Sequence, residues 1–138
     1  MDTKKFLTGT LVGGIVFFFV GYLFYGVALV GFFTEHATGP GKPMEELVWW
    51  ALILGNISSG AMLTYIFVKW ANISSFGSGM SAAAAIGFFS TLAMDMIRFA
   101  TTNTFDLTGA LADVTVGTVL TAVAGGAIGA VLGMGKKG

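Results

Sequence analysis

The sequence predicts an all-α fold, an integral membrane bundle of four helices, and three observations predict it. Hydrophobic residues make up 55% of the 138-residue chain and charged residues only 10%, with a mean hydropathy of +0.84. That leaves too little polar surface to cover a water-soluble domain. Residues 6–34, 47–68 and 114–135 contain no Asp, Glu, Lys or Arg, and each stretch supplies the roughly 20 residues that cross a bilayer. Gly125, Gly129 and Gly133 recur at every fourth position, the small-residue spacing by which membrane helices approach one another closely.

The first helix is expected over about 6–33. Lys4 and Lys5 precede an apolar run, as in a secretory signal. The run exceeds the usual 7–15 residues or so of such a segment and lacks a small-x-small cleavage site, so an uncleaved helix is expected. Gly9, Gly13, Gly14 and Gly21 give it small stripes, while Phe17, Phe18 and Phe19 suit lipid or bulky packing. In the following loop, Gly39-Pro40-Gly41-Lys42-Pro43 shares only Gly-Lys with a phosphate loop, which needs Gly where His36 stands and Ser or Thr where Pro43 stands. His36 with Glu35, Glu45 and Glu46 could make an external metal site, yet a single imidazole on a Gly/Pro-rich loop is ordinarily just solvated. Neither a metal nor a cofactor is expected.

The second helix is expected over about 47–69, with Trp49 and Trp50 marking one membrane interface and Trp70 the other. Residues 71–79 form a Ser/Gly-rich turn. Asn56-Ile57-Ser58-Ser59 recurs as Asn72-Ile73-Ser74-Ser75, too short a match to argue a repeat. The third helix, about 79–104, contains Asp95 and Arg98, but 81–93 is uncharged. The fourth runs over about 109–134, completing a single transmembrane domain over 1–138. The absence of cysteine excludes disulfides, thiolate metal sites and a cysteine nucleophile.

Lysines set the orientation. Lys4, Lys5, Lys69, Lys136 and Lys137 fall on one side and only Lys42 on the other, so both termini are expected in the cytoplasm and the 34–46 loop outside.

Ionisable side chains in hydrocarbon are costly, and each is a functional-site candidate expected to have a partner nearby. Counting about 1.5 Å per residue from the outer helix ends puts Arg98 roughly 9 Å deep, Asp95 13, Asp113 8, Asn56 15 and Tyr25 12. Four helices thus deliver polar groups to one layer. Thr91, Asp95, Arg98 and Thr102 share a stripe on the third helix. Asp113, Gly117, Thr121 and Ala124 do so on the fourth, and Asn56, Ser59, Gly60 and Leu63 on the second. These stripes should face one another. The expected site is therefore Asn56, Asp95, Arg98 and Asp113, with Tyr25 and Thr102 beside them.

One guanidinium can hold one carboxylate by two parallel hydrogen bonds and offer its other donors to a second, so Arg98 is expected between Asp95 and Asp113. Two acids against one base leave the cluster short of positive charge, which a proton, a cation or a protonated ligand would supply. The expected function is binding or transport of a small polar or charged solute or a proton. The alternative is a non-catalytic accessory or scaffold subunit of a larger membrane complex, in which the cluster locks helices three and four together. Thr101, Asn103, Thr104 and Asp106 would then cap a tight outer turn. Apart from membrane lipid, the stripe Gly125, Gly129, Gly133 offers either packing within the bundle or a face for a homodimer or partner subunit.

Enzyme signatures are missing, with no H-E-x-x-H, G-x-S-x-G or paired-histidine motif, so catalysis is not the expected role. Zero formal net charge and the lack of basic patches point away from nucleic acid. At Val20-Gly21-Tyr22-Leu23-Phe24-Tyr25-Gly26, and at the glycine-rich end of the fourth helix, the chain resembles small bacterial four-helix membrane proteins grouped as a domain of unknown function. That resemblance implies the bacterial inner (cytoplasmic) membrane and carries over no activity or binding residue. The first helix has neither the membrane glutamate of small multidrug exporters nor the arginine pattern of small fluoride channels.

Overall fold

A computed structural model describes residues 1–38 and 47–134. The Gly39 to Pro43 stretch, Lys42, Glu45, Glu46, Lys136 and Lys137 lie outside the described residues. Four helices are long and apolar enough to cross a membrane: α1 Thr3–Ala28, α3 Trp49–Ala71, α4 Phe76–Thr101 and α5 Leu107–Met134. A short helix, α2 (Val30–His36), follows α1. No strand is present among the described residues.

The helix ends follow from the side chains beside them. Asp2 accepts from the backbone N–H of Lys5 at 3.2 Å and opens α1. Ser75 does the same for Ser78 at 3.2 Å before α4, and Asp106 for Gly109 at 2.7 Å before α5. Each satisfies an N–H that the first helical turn leaves without a partner. Asn72 ends α3 in the left-handed region at φ 51°, a conformation Asn tolerates better than most residues.

The first helix departs from expectation. Instead of one regular helix over 6–33, α1 is α-helical over Thr3–Gly21, widens to a π-helix over Tyr22–Ala28 and breaks at Leu29 before α2. Gly26 lies beneath the Tyr22 ring, whose Cδ2 would come within 2.9 Å of an added Cβ. The local packing therefore favours a bare backbone there.

Across the bundle the helices follow the order α3, α1, α5, α4, with α5 packed against both α4 and α1. The buried centre holds Phe17, Leu63, Phe67, Ala124, Ile128 and Leu132. The outside is apolar as well: Leu11, Phe19, Phe89 and Ile97 are each more than 60% exposed. Lipid can solvate such a surface where water would not.

Glycine permits the close contacts. A Cβ on Gly60 of α3 would meet Gly14 N of α1 at 2.6 Å and Thr10 O at 2.8 Å. On α5, Gly125 and Gly129 lie against Gly79 and its neighbours on α4, and Gly133 lies against Ser74 just before it. The Gly125, Gly129, Gly133 stripe, read above as either bundle packing or a partner face, is thus covered by the chain's own segment 74–83.

Candidate functional site

The register between α4 and α5 builds the site. Ala83 of α4 lies against Gly125 of α5, Gly87 against Thr121, and Thr91 against Gly117. Each step of four residues along α4 matches a step of four back along α5. A Cβ on Gly87 would meet Thr121 Cβ at 2.6 Å, and one on Gly117 would meet Thr91 Cγ2 at 2.6 Å. These seats fix both the height and the rotation of the two helices. One further step brings Asp95 opposite Asp113, with the Asp113 carboxyl within hydrogen-bonding reach of Asp95.

Asp95 is 4% exposed, and its Oδ2 has no hydrogen-bond donor among the described residues. Its Oδ1 faces Arg98 Nη1 at 3.6 Å. Asp113 Oδ1 accepts the Tyr25 hydroxyl proton at 2.6 Å, a short bond of the kind formed to a carboxylate. Tyr25 comes from the π-helical part of α1. Three helices therefore converge on the two acids.

Arg98 does not bridge the two carboxylates as the spacing suggested. Among the described residues its guanidinium pairs with Asp95 alone, three residues before it, and its side chain is 45% exposed and stands 5.7 Å from the centroid of the Phe105 ring. The position facing Asp113 is taken by Tyr25. Thr102 stays outside the cluster, its hydroxyl bonded to Arg98 O at 2.7 Å and to Thr104 Oγ1 at 2.8 Å. Asn56 also stays away from the acids, because α3 packs on α1 rather than on α4. It donates to Leu52 O at 2.8 Å.

Asn56 and Tyr25 meet elsewhere. Both line a cavity of about 520 Å³ walled chiefly by aromatic rings, among them Phe17, Phe18, Phe33 and Phe105. Its size falls within the roughly 300–1,000 Å³ of small-molecule sites. Tyr25 is thus shared between the cavity wall and the acidic pair.

A second polar contact closes the same end of the bundle. His36 Nδ1 and Asp106 Oδ2 lie 2.8 Å apart, Asp106 N donates to His36 O at 3.0 Å, and Thr38 N donates to Thr104 O at 3.0 Å. His36 is therefore engaged by Asp106 rather than merely solvated. The Gly109 backbone N–H, with His36 second, holds the Asp106 carboxyl below the usual carboxylate range. No group of three metal-ligating side chains occurs among the described residues.

No family model, no curated protein and no solved structure matches this chain.

Proposed function

We propose that this chain is a small multi-pass protein of the bacterial inner membrane that binds, and moves, a proton or a small charged solute at the Asp95–Asp113 pair. Both termini face the cytoplasm in this reading, as the lysine distribution suggests.

The observation that carries it is the Asp95 Oδ2 atom, buried without a donor and beside a second carboxyl. A buried acceptor that goes unpaired loses its interaction with water and gains nothing in return. Among the described residues the two acids outnumber the one base that reaches them, Arg98. A proton between the carboxyls, or a cation held by them, provides both the missing donor and the missing charge. Bundle interiors formed by facing helices are a usual place for such sites.

The test is flux through purified protein in lipid vesicles, read with a trapped pH dye or a cation indicator, for wild type and for Asp95→Asn, Arg98→Gln and Asp113→Asn. Flux in the wild type that disappears in folded Asp95→Asn and Asp113→Asn variants supports the reading. A wild type that moves nothing, with all three variants losing thermal stability together, would assign the cluster to helix locking in a scaffold subunit.

A further inference from the structure

We propose that the aromatic cavity beside Tyr25 binds a protonated lipophilic amine, an apolar body carrying one ammonium group, whose positive charge is matched by the Asp95–Asp113 pair. This rests on the reading of that pair as a proton or cation site and names the class of solute.

Three features of the cavity select this occupant. Its walls are rings and aliphatic side chains over about 520 Å³, which suits an apolar body of drug-like size. Aromatic faces also attract ammonium groups. Its polar edge, in addition, is biased toward accepting. Tyr25 spends its only proton on Asp113 at 2.6 Å and can only accept from an occupant. Asn56 commits one of its two amide hydrogens to Leu52 O and retains the other together with its carbonyl oxygen, so the accepting bias of the edge comes from Tyr25. A ligand rich in donors fits that edge better than one rich in acceptors. Finally, the nearest charged groups behind Tyr25 are Asp113 and then Asp95, the latter buried with one oxygen lacking a donor. Arg98, the one base at the cluster among the described residues, is half exposed, pairs with Asp95 and stands 5.7 Å from the Phe105 ring that walls the cavity. With both acids ionised, the two carboxylates still exceed that single guanidinium by one negative charge, which an ammonium group offsets.

Because the amine and the proton answer the same negative charge, they compete. The amine enters as the carboxyl pair gives up its proton, and a proton taken up by the pair displaces the amine.

The probe is dansylcadaverine, a fluorescent lipophilic amine, with its N-acetylated derivative as the uncharged control, titrated into the full chain in lipid nanodiscs. Binding of the amine at least about tenfold tighter than the acetylated form is expected, with proton release into weakly buffered medium. Asp113→Asn should reduce amine affinity about tenfold while leaving the acetylated probe unchanged. Gly21 lines the cavity and has only Leu120 Cδ2, at 3.6 Å, near an added Cβ, so Gly21→Leu fills the space without disturbing the acids and should abolish binding of both probes. Equal binding of the two probes, or undiminished amine binding in Gly21→Leu, overturns the proposal. If proton flux persists through wild type that binds no amine, this inference fails and the proton site stands. If flux and binding are both absent, both fail.

Discussion

Tyr25 and Asp113 are joined by a 2.6 Å hydrogen bond between side chains 88 positions apart, tying the widened end of α1 to the first third of α5. Most other hydroxyls inside the bundle are spent on their own helices: Thr64 on Gly60 O, Thr91 on Gly87 O, Thr121 on Gly117 O. Such i to i−4 bonds satisfy the hydroxyl but hold no helix to its neighbour. The Tyr25–Asp113 bond therefore carries the polar contact between α1 and α5 at this depth.

Tyr25→Phe keeps the ring and removes that bond. Interhelical hydrogen bonds in membrane proteins average roughly 0.6 kcal/mol and reach about 1.7, and Asp113 Oδ1 would lose its donor. A stability loss of about 1–2 kcal/mol is expected in detergent unfolding. No loss at all would mean that the bond is not formed in the folded protein.

Two glycines of α3 should respond in opposite directions. A Cβ at Gly60 would press on backbone atoms of Gly14, Thr10 and Gly13 within 3.0 Å, none of which can turn aside, whereas at Gly55 it would meet nothing within 4 Å. Gly60→Ala is expected to cost about 1–3 kcal/mol. Gly55→Ala should be neutral or stabilise by up to about 1 kcal/mol through reduced backbone freedom of the unfolded chain. Thermal unfolding of the two variants side by side decides this, and equal midpoints would contradict the α1–α3 contact.

Asp106 links stability to pH. Its carboxyl is held below the ordinary range in the folded protein, first by the Gly109 N–H and then by His36. A carboxylate lowered on folding stabilises above its unfolded pKa of about 3.9 and loses that contribution as pH falls through the lower folded value. Wild type should therefore lose stability on acidification below about pH 4. Asp106→Asn, which still caps α5, should lose less over the same window. Parallel acid limbs for the two proteins would remove Asp106 from the account.

Much of the α4–α5 geometry is legible in the sequence, because Gly79, Ala83, Gly87, Thr91 and Asp95 recur at every fourth position, as do Asp113, Gly117, Thr121, Gly125 and Gly129. Two such stripes run antiparallel can bring Asp95 and Asp113 to one height. Stripes show which face of a helix is polar but not which helix lies against it. Depth counting put Asn56 in the same layer as the acids, yet α3 turns it toward the cavity against α1. Arg98 shares a helical stripe with Asp95, but its long side chain follows the helix end outward to Phe105. The His36–Asp106 contact spans 70 positions and leaves no periodic trace. The break at Leu29 leaves no mark in the sequence, because residues 6–34 carry no Asp, Glu, Lys or Arg and contain no proline.

The π-helical stretch Tyr22–Ala28 makes the length of α1 a functional quantity. Successive residues of an ordinary helix are turned by about 100° around its axis. Losing a single residue between Gly14 and Tyr25 would swing the phenol by that angle relative to the Gly13–Gly14 seat on α3, carrying its oxygen away from Asp113 while leaving composition and hydropathy almost unchanged. Chain length in this segment is thus constrained as well as residue identity, and a deletion there should uncouple Tyr25 from Asp113 even where every remaining side chain is unchanged.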